Sequence, residues 1–228
     1  MADKAASPNG SYNDNGFEFF KGLVEPDTIN ALLNMTEQVA GNSPSTFRGI
    51  IRKSTLTNKL IYVLQGTNFV PLDTFHWGLT PFISRVVGKP VLPAYSNFRI
   101  YQQGDVCKIH SDRVASEHGI SLMIGSSDNK PWGLSVGHEF IEDPMNWRGT
   151  GKVKTACDDF GDEPFSTFEM YPGDAVLYQA INRRHGRLEP NPNRWTAHLF
   201  MFWVDRNGPR KDQAFDKKRH PASANYTF

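Results

Sequence analysis

The feature that most limits what this chain can become is a series of short apolar runs starting near Leu92 and ending at Val204. NFRIYQQ, GISLMIG, WGLSVGHEF, STFEMY, AVLYQAI and RWTAHLFMFWV are rich in β-branched and aromatic residues, and Gly, Pro, Asp and Asn separate them. Strands in such number with no helix between them predict an antiparallel sandwich or barrel. The preceding segment reads differently. GFEFFKGLV predicts a short strand, and Pro26-Asp27 opens TINALLNMTEQVA, where Ile29, Leu32 and Leu33 recur at helical spacing with Asp27 as the cap. A second helix is predicted over Thr74 to Val87, with Trp77, Phe82, Ile83, Val86 and Val87 on one side and Gly88-Lys89-Pro90 as its stop. The fold class is therefore mostly β (α+β), with an N-terminal helical layer packed on one sheet.

The chain's 228 residues suit one domain with a substantial core. The boundaries read as a disordered leader over 1–16, a single domain over 17–205 and a flexible tail over 206–228. Within the domain, 17–91 is the helical layer and 92–205 the β core, interrupted by an insertion loop over 141–164 that has no sustained period. The leader has no apolar run, so no signal peptide or membrane anchor is predicted, and a cytoplasmic protein is expected. A net charge of +1 gives no footprint for nucleic acid or an acidic membrane. Cys107 and Cys157 form no CxxC pattern, which points to a reducing compartment.

Two stretches carry chemistry. In CKIHSD, residues two apart on a strand share a face, so His110 and Asp112 can reach one ion together. An imidazole and a carboxylate suit Fe(II), and two His with one carboxylate on one face of an octahedron leave positions open. His-x-Asp alone is as easily a surface pair. Far along the chain, PGDAVLYQAINRRHGRLEPNPNR offers a turn, an apolar strand, the lone His185 and then Arg194. Alternation in RWTAHLFMFW sets Arg194, Thr196 and His198 on one face. An arginine inside a barrel mouth needs a carboxylate, because a buried unpaired guanidinium is costly. Either a metal-chelating dicarboxylate or a strand-end ion pair with an acid such as Glu189 would supply it.

Together, His-Ser-Asp at 110–112, the Pro-Gly-Asp turn, His185 and an Arg nine residues on resemble the Fe(II)/2-oxoglutarate-dependent dioxygenases, in particular the prolyl 4-hydroxylase-like branch. The likeness spans about Tyr95 to Asp205. It implies a double-stranded β-helix (jelly-roll) and Fe(II) held by His110, Asp112 and His185. It further implies 2-oxoglutarate held at its far carboxylate by Arg194, with Tyr101 lining the pocket and ascorbate as a supporting reductant. GISLMIG lacks the tyrosine that helps hold 2-oxoglutarate in the oxygen-sensing members; Ser121, Thr196 and His198 are the candidates to replace it. The reaction implied is hydroxylation of proline in a peptide or protein, with succinate and CO2 formed. The alternatives are hydroxylation of a free amino acid or other small metabolite, and a non-catalytic jelly-roll binding module. The nucleic-acid demethylases usually carry a further arginine where this chain has Phe200.

Arg99 and Arg113 flank the His-x-Asp strand and are candidate substrate contacts, as is Trp132 beside the insertion. Arg183, Arg184 and Arg187 around His185 read as solvated charges on an exposed connection. Cys107 reads as a small wall residue.

Overall fold

The structure is a computed structural model that describes residues 12–41, 51–142 and 156–217. The expected β core folds as two antiparallel sheets. The larger has the order β1 (Phe17–Phe20), β10 (Ala175–Tyr178), β6 (His118–Ser126), β12 (Trp195–Asp205), β4 (Val91–Gln102), β3 (Leu60–Gln65), β2 (Ile51–Lys53). The smaller has the order β8 (Ala156–Cys157), β5 (Cys107–His110), β11 (His185–Arg187), β7 (Leu134–Gly137), β9 (Phe165–Phe168). From β4 to β12 the chain passes back and forth between the sheets, which makes a double-stranded β-helix.

The period of two along the central strands divides the molecule into two apolar layers. Ile120, Leu122 and Ile124 of β6 join Leu199, Met201 and Trp203 of β12 on the outer face of the larger sheet. Helices α2 (Pro26–Gly41), α3 (Val70–Gly78) and α4 (Thr80–Val87) cover that face, burying Ile29, Leu72, Ile83 and Val87 in the same cluster. Each fully buried aliphatic side chain is worth about 1.5–3 kcal/mol, so this layer is a main source of stability. The alternate residues, including Met123, Val176, Tyr178 and Phe202, face the space between the sheets.

Several boundaries differ from the sequence reading. Tyr12–Asn15 is a short helix, α1, rather than leader. Its Tyr12 is buried, and the hydroxyl meets His118 Nδ1 at 2.7 Å, so a single aromatic anchors a polar stretch. Asp27 lies inside the first turn of α2, where a negative charge favours the helix dipole. The helix over 74–87 is two helices. Pro81 cannot donate into a continuous helix and disfavours α geometry before it, so the chain breaks at Leu79. Trp77 is exposed rather than sharing the buried side of α4, with its ring edge-on to Phe215. The insertion supplies β8, which pairs with β5; 143–155 lies outside the described residues. The tail is docked as far as Lys217: Ala214 is buried, Arg210 pairs with Glu117 and Asp216 with Arg113. Among the described residues no helix is long and apolar enough to cross a membrane.

Candidate metal centre

His110 closes β5 and His185 opens β11, and the register sets them directly opposite each other, with ring centroids 4.5 Å apart. Asp112 lies just past the end of β5, where its backbone N–H donates to Ala180 O at 2.9 Å. One donor atom from each of the three lies within 4.8 Å of the others, and among the described residues they are the one such group of three or more His, Cys, Asp or Glu.

The hydrogen bonds around the rings determine what this cluster can do. His110 Nδ1 lies 2.8 Å from Lys108 O, and His185 Nδ1 lies 3.1 Å from Arg183 O. A carbonyl only accepts, so both Nδ1 atoms donate, and in the neutral rings both Nε2 atoms carry lone pairs. Each Nε2 lies 3.4 Å from an oxygen of Asp112. Two lone pairs turned toward a carboxylate repel it unless a cation stands between them. Two ligands each about 2.1 Å from an ion and at right angles lie about 3 Å apart, close to the observed spacing. Asp112 Oδ2 is buried without a hydrogen-bond partner, which a metal would correct. Burial alone would raise the Asp112 pKa, but His185 and His110 beside it hold the carboxyl well below its usual range. Burial, then the charge of His185, lowers His110. Burial thus favours a neutral His110 beside an ionised Asp112, as binding of a divalent ion requires.

The triad lines a cavity of about 520 Å³ between the sheets. Arg194, expected at its inner end, is not there. β12 starts one residue later, and the Arg194 side chain is 74% exposed, pairing with Asp128 at 3.5 Å. Alternation fixes a side chain's direction only while the strand continues. The buried arginine of the cavity is Arg187, 1% exposed and two residues beyond His185 on the same face of β11. Its Nη1 donates to Trp132 O at 2.6 Å, and its Nη2 donates to His198 Nδ1 at 3.1 Å and Ser121 Oγ at 3.3 Å. The guanidinium lies 4.7 Å from the Trp132 ring centroid. Burial lowers its pKa to about 10, so it remains a cation at neutral pH. No carboxylate pairs with it among the described residues. The signal was present in the sequence: His-Gly-Arg at 185–187 repeats the i, i+2 logic of His-x-Asp.

The other candidates divide accordingly. Tyr101 lines the cavity, fully buried, with its phenol pushed up to about 12 by burial and therefore neutral. Ser121 and His198 stand behind Arg187 rather than in the cavity wall. Thr196 donates to Asn191 Oδ1 at 2.8 Å and accepts from Asn193 Nδ2 at 3.1 Å, which ties it into a buried amide network. Trp132 is 1% exposed and supports Arg187 from beneath instead of facing the cavity. Arg99 lines the cavity, whereas Arg113 sits at its rim, 3.6 Å above the Tyr95 ring and paired with Asp216 at 2.9 Å. Arg183 and Arg184 are not solvated: the first donates to His138 O and the second pairs with buried Glu163. Cys107 is a wall residue whose thiol burial pushes up.

No family model matches the sequence, and no curated protein matches it. Solved structures do. The chain is similar to the non-heme alpha ketoglutarate dependent epimerase SnoN from nogalamycin biosynthesis, at 11% identity over 85% of this chain and 80% of that one, with a TM-score of 0.62. It is similar to HygX from Streptomyces hygroscopicus, solved with nickel and 2-oxoglutarate bound, at 8% identity over 86% and 85% of the two chains and a TM-score of 0.58. A Pseudomonas putida prolyl-4-hydroxylase matches at 13% identity over 86% and 96%, with a TM-score of 0.54. At such identities the shared property is the fold, and it is the double-stranded β-helix of Fe(II)/2-oxoglutarate oxygenases.

Proposed function

We propose that this protein is an Fe(II)- and 2-oxoglutarate-dependent oxygenase that hydroxylates a C–H bond. The observation that carries the reading is the pair of imidazoles whose Nδ1 atoms are committed to carbonyls, leaving both Nε2 atoms facing Asp112. His110, Asp112 and His185 would hold the metal on one face and leave its other positions to ligands. Arg187 would anchor the far carboxylate of the 2-oxo diacid. Two residues along a strand span roughly 7 Å, a separation suited to a short diacid reaching from the metal to the guanidinium. Bound there, iron with 2-oxoglutarate and oxygen supplies the oxidising power for the C–H bond, with succinate and CO2 as co-products. The chain's own residues orient and shield. Trp132, His198 and Ser121 fix the Arg187 plane, Tyr101 presents a neutral phenol, and the apolar walls Leu134, Phe200 and Phe202 keep water out.

Proline in a peptide and a free amino acid or other small metabolite are both substrate classes for such a centre, since a shared fold does not specify the substrate. The test of the oxygenase reading is substrate-independent. With Fe(II) and oxygen, the protein should convert 2-oxoglutarate to succinate, and Asp112→Asn should lower that rate at least a hundredfold while the melting temperature shows it folded. Equal rates in the two proteins would remove the metal assignment.

A further inference from the structure

The cavity contains a second guanidinium that the co-substrate does not require. Arg99 projects from β4 into the same space, with Nε donating to Asn97 Oδ1 at 3.0 Å and Nη1 to Tyr101 Oη at 3.5 Å. Its carbon lies 5.3 Å from the Phe200 ring centroid, which sets the plane of the fork. Arginine has five N–H groups, so three are left for a ligand. No ion pair is formed by Arg99 among the described residues. Burial, then Tyr101 and Cys107, act on its charge ahead of the carboxylate Asp112, which is already engaged by two imidazoles.

Charge balance shows what is missing. The charged side chains lining the cavity, besides the histidines, are Asp112, Arg187, Arg99 and the rim pair Arg113–Asp216. The rim pair cancels itself. Tyr95 and Tyr101 are held up to about 12 by burial, so they carry no charge at neutral pH. With a divalent metal and a doubly charged 2-oxo diacid in place, Asp112 and the two carboxylates cancel the metal and Arg187. Arg99 then stands as one uncompensated, largely desolvated cation, a costly arrangement unless a further ligand brings one negative charge. A carboxylate matches the fork and the charge, whereas a phosphate dianion would leave one charge over.

We propose that Arg99, positioned by Asn97 and Phe200, is a second anion subsite that binds a carboxylate of the primary substrate, so that the molecule oxidised is a small free acid. This rests on the oxygenase reading above. It is tested by thermal shift on the full chain with Mn(II) in place of iron, which requires no turnover. Successive additions are Mn(II), then 2-oxoglutarate, then a panel of small monocarboxylic acids from acetate to hexanoate and the free L-amino acids, each beside its amide. The expected result is a further rise with one or more acids and none with the matching amides. In Arg99→Gln the acid-dependent rise should weaken about tenfold or more in midpoint concentration, while the Mn(II) and 2-oxoglutarate shifts persist. Loss of the 2-oxoglutarate shift in Arg99→Gln would assign Arg99 to the co-substrate and overturn the proposal. Acids and amides acting alike, or no acid acting, would also overturn it. If Mn(II) and 2-oxoglutarate shift nothing in the parent protein, the oxygenase reading itself falls, and the subsite falls with it.

Discussion

At the residue scale, the site depends on which atoms are already committed. Carbonyls take the Nδ1 protons of His110 and His185, so the geometry settles the tautomers before any metal arrives. The same reasoning separates the two arginines of the second motif. Arg194 is solvated and paired with Asp128; Arg187 is buried with no acid paired to it among the described residues. Replacing Arg187 by Gln should weaken 2-oxoglutarate binding about tenfold to a hundredfold, the size of a lost charge-assisted contact, whereas Arg194→Ala should change it less than twofold. Calorimetric titration of the Mn(II) protein with 2-oxoglutarate measures both, and the reverse ranking would restore Arg194 to the site. His-x-Asp and the distant His were legible because a strand's period of two is rigid. Arg187 is hidden in the sequence because three residues with a glycine in the middle resemble a polar connection, and the spacing of the resembled dioxygenases points to Arg194 instead.

At the scale of elements, β11 must lie close against β5 for the two imidazoles to meet. Gly186, between His185 and Arg187, makes that possible: a Cβ there would stand 2.5 Å from Cys107 O and 2.8 Å from Ile109 Cδ1. Backbone cannot yield as a side-chain tip does, so Gly186→Ala should force the strands apart, costing about 1–3 kcal/mol of stability. It should also weaken Mn(II) binding, although the variant changes no ligand. Unchanged affinity, measured by calorimetry, would mean that the pair tolerates a wider spacing. Most strands were visible in the sequence as alternating runs, and the break in the second helix could have been read from Pro81. β8 was not visible, because two residues paired only to β5 have no period of their own. Nor was α1, whose order depends on distant partners: Tyr12 meets His118, which in turn donates to Asp205 at 2.8 Å, and Asn13 Nδ2 donates to Val86 O at 3.3 Å.

For the whole molecule, the helical layer supports the sheet whose inner face lines the cavity, and one buried histidine makes that support depend on pH. His76 of α3 is fully buried, with Nε2 donating to Phe202 O at 3.0 Å and its ring edge-on to Trp203. Burial lowers its pKa from 6.5 to about 3. The unfolded chain therefore binds a proton that the native state refuses between those values. Stability is complete above about pH 6.5 and falls as pH drops toward 3, with about 2 kcal/mol lost from this group by pH 5. Urea denaturation of the metal-free protein should show that decline, and His76→Leu should flatten it by that amount; an unchanged slope would mean that the ring is protonated in place. The larger architecture follows the same division of labour, with one face of the main sheet used for stability and the other lining the cavity of the proposed metal chemistry. The most direct measurement of that chemistry is anaerobic calorimetric titration with Fe(II), comparing the parent with His185→Ala. One ion per chain, lost in the variant, is the outcome the geometry requires; equal binding by both, or none by either, would contradict it.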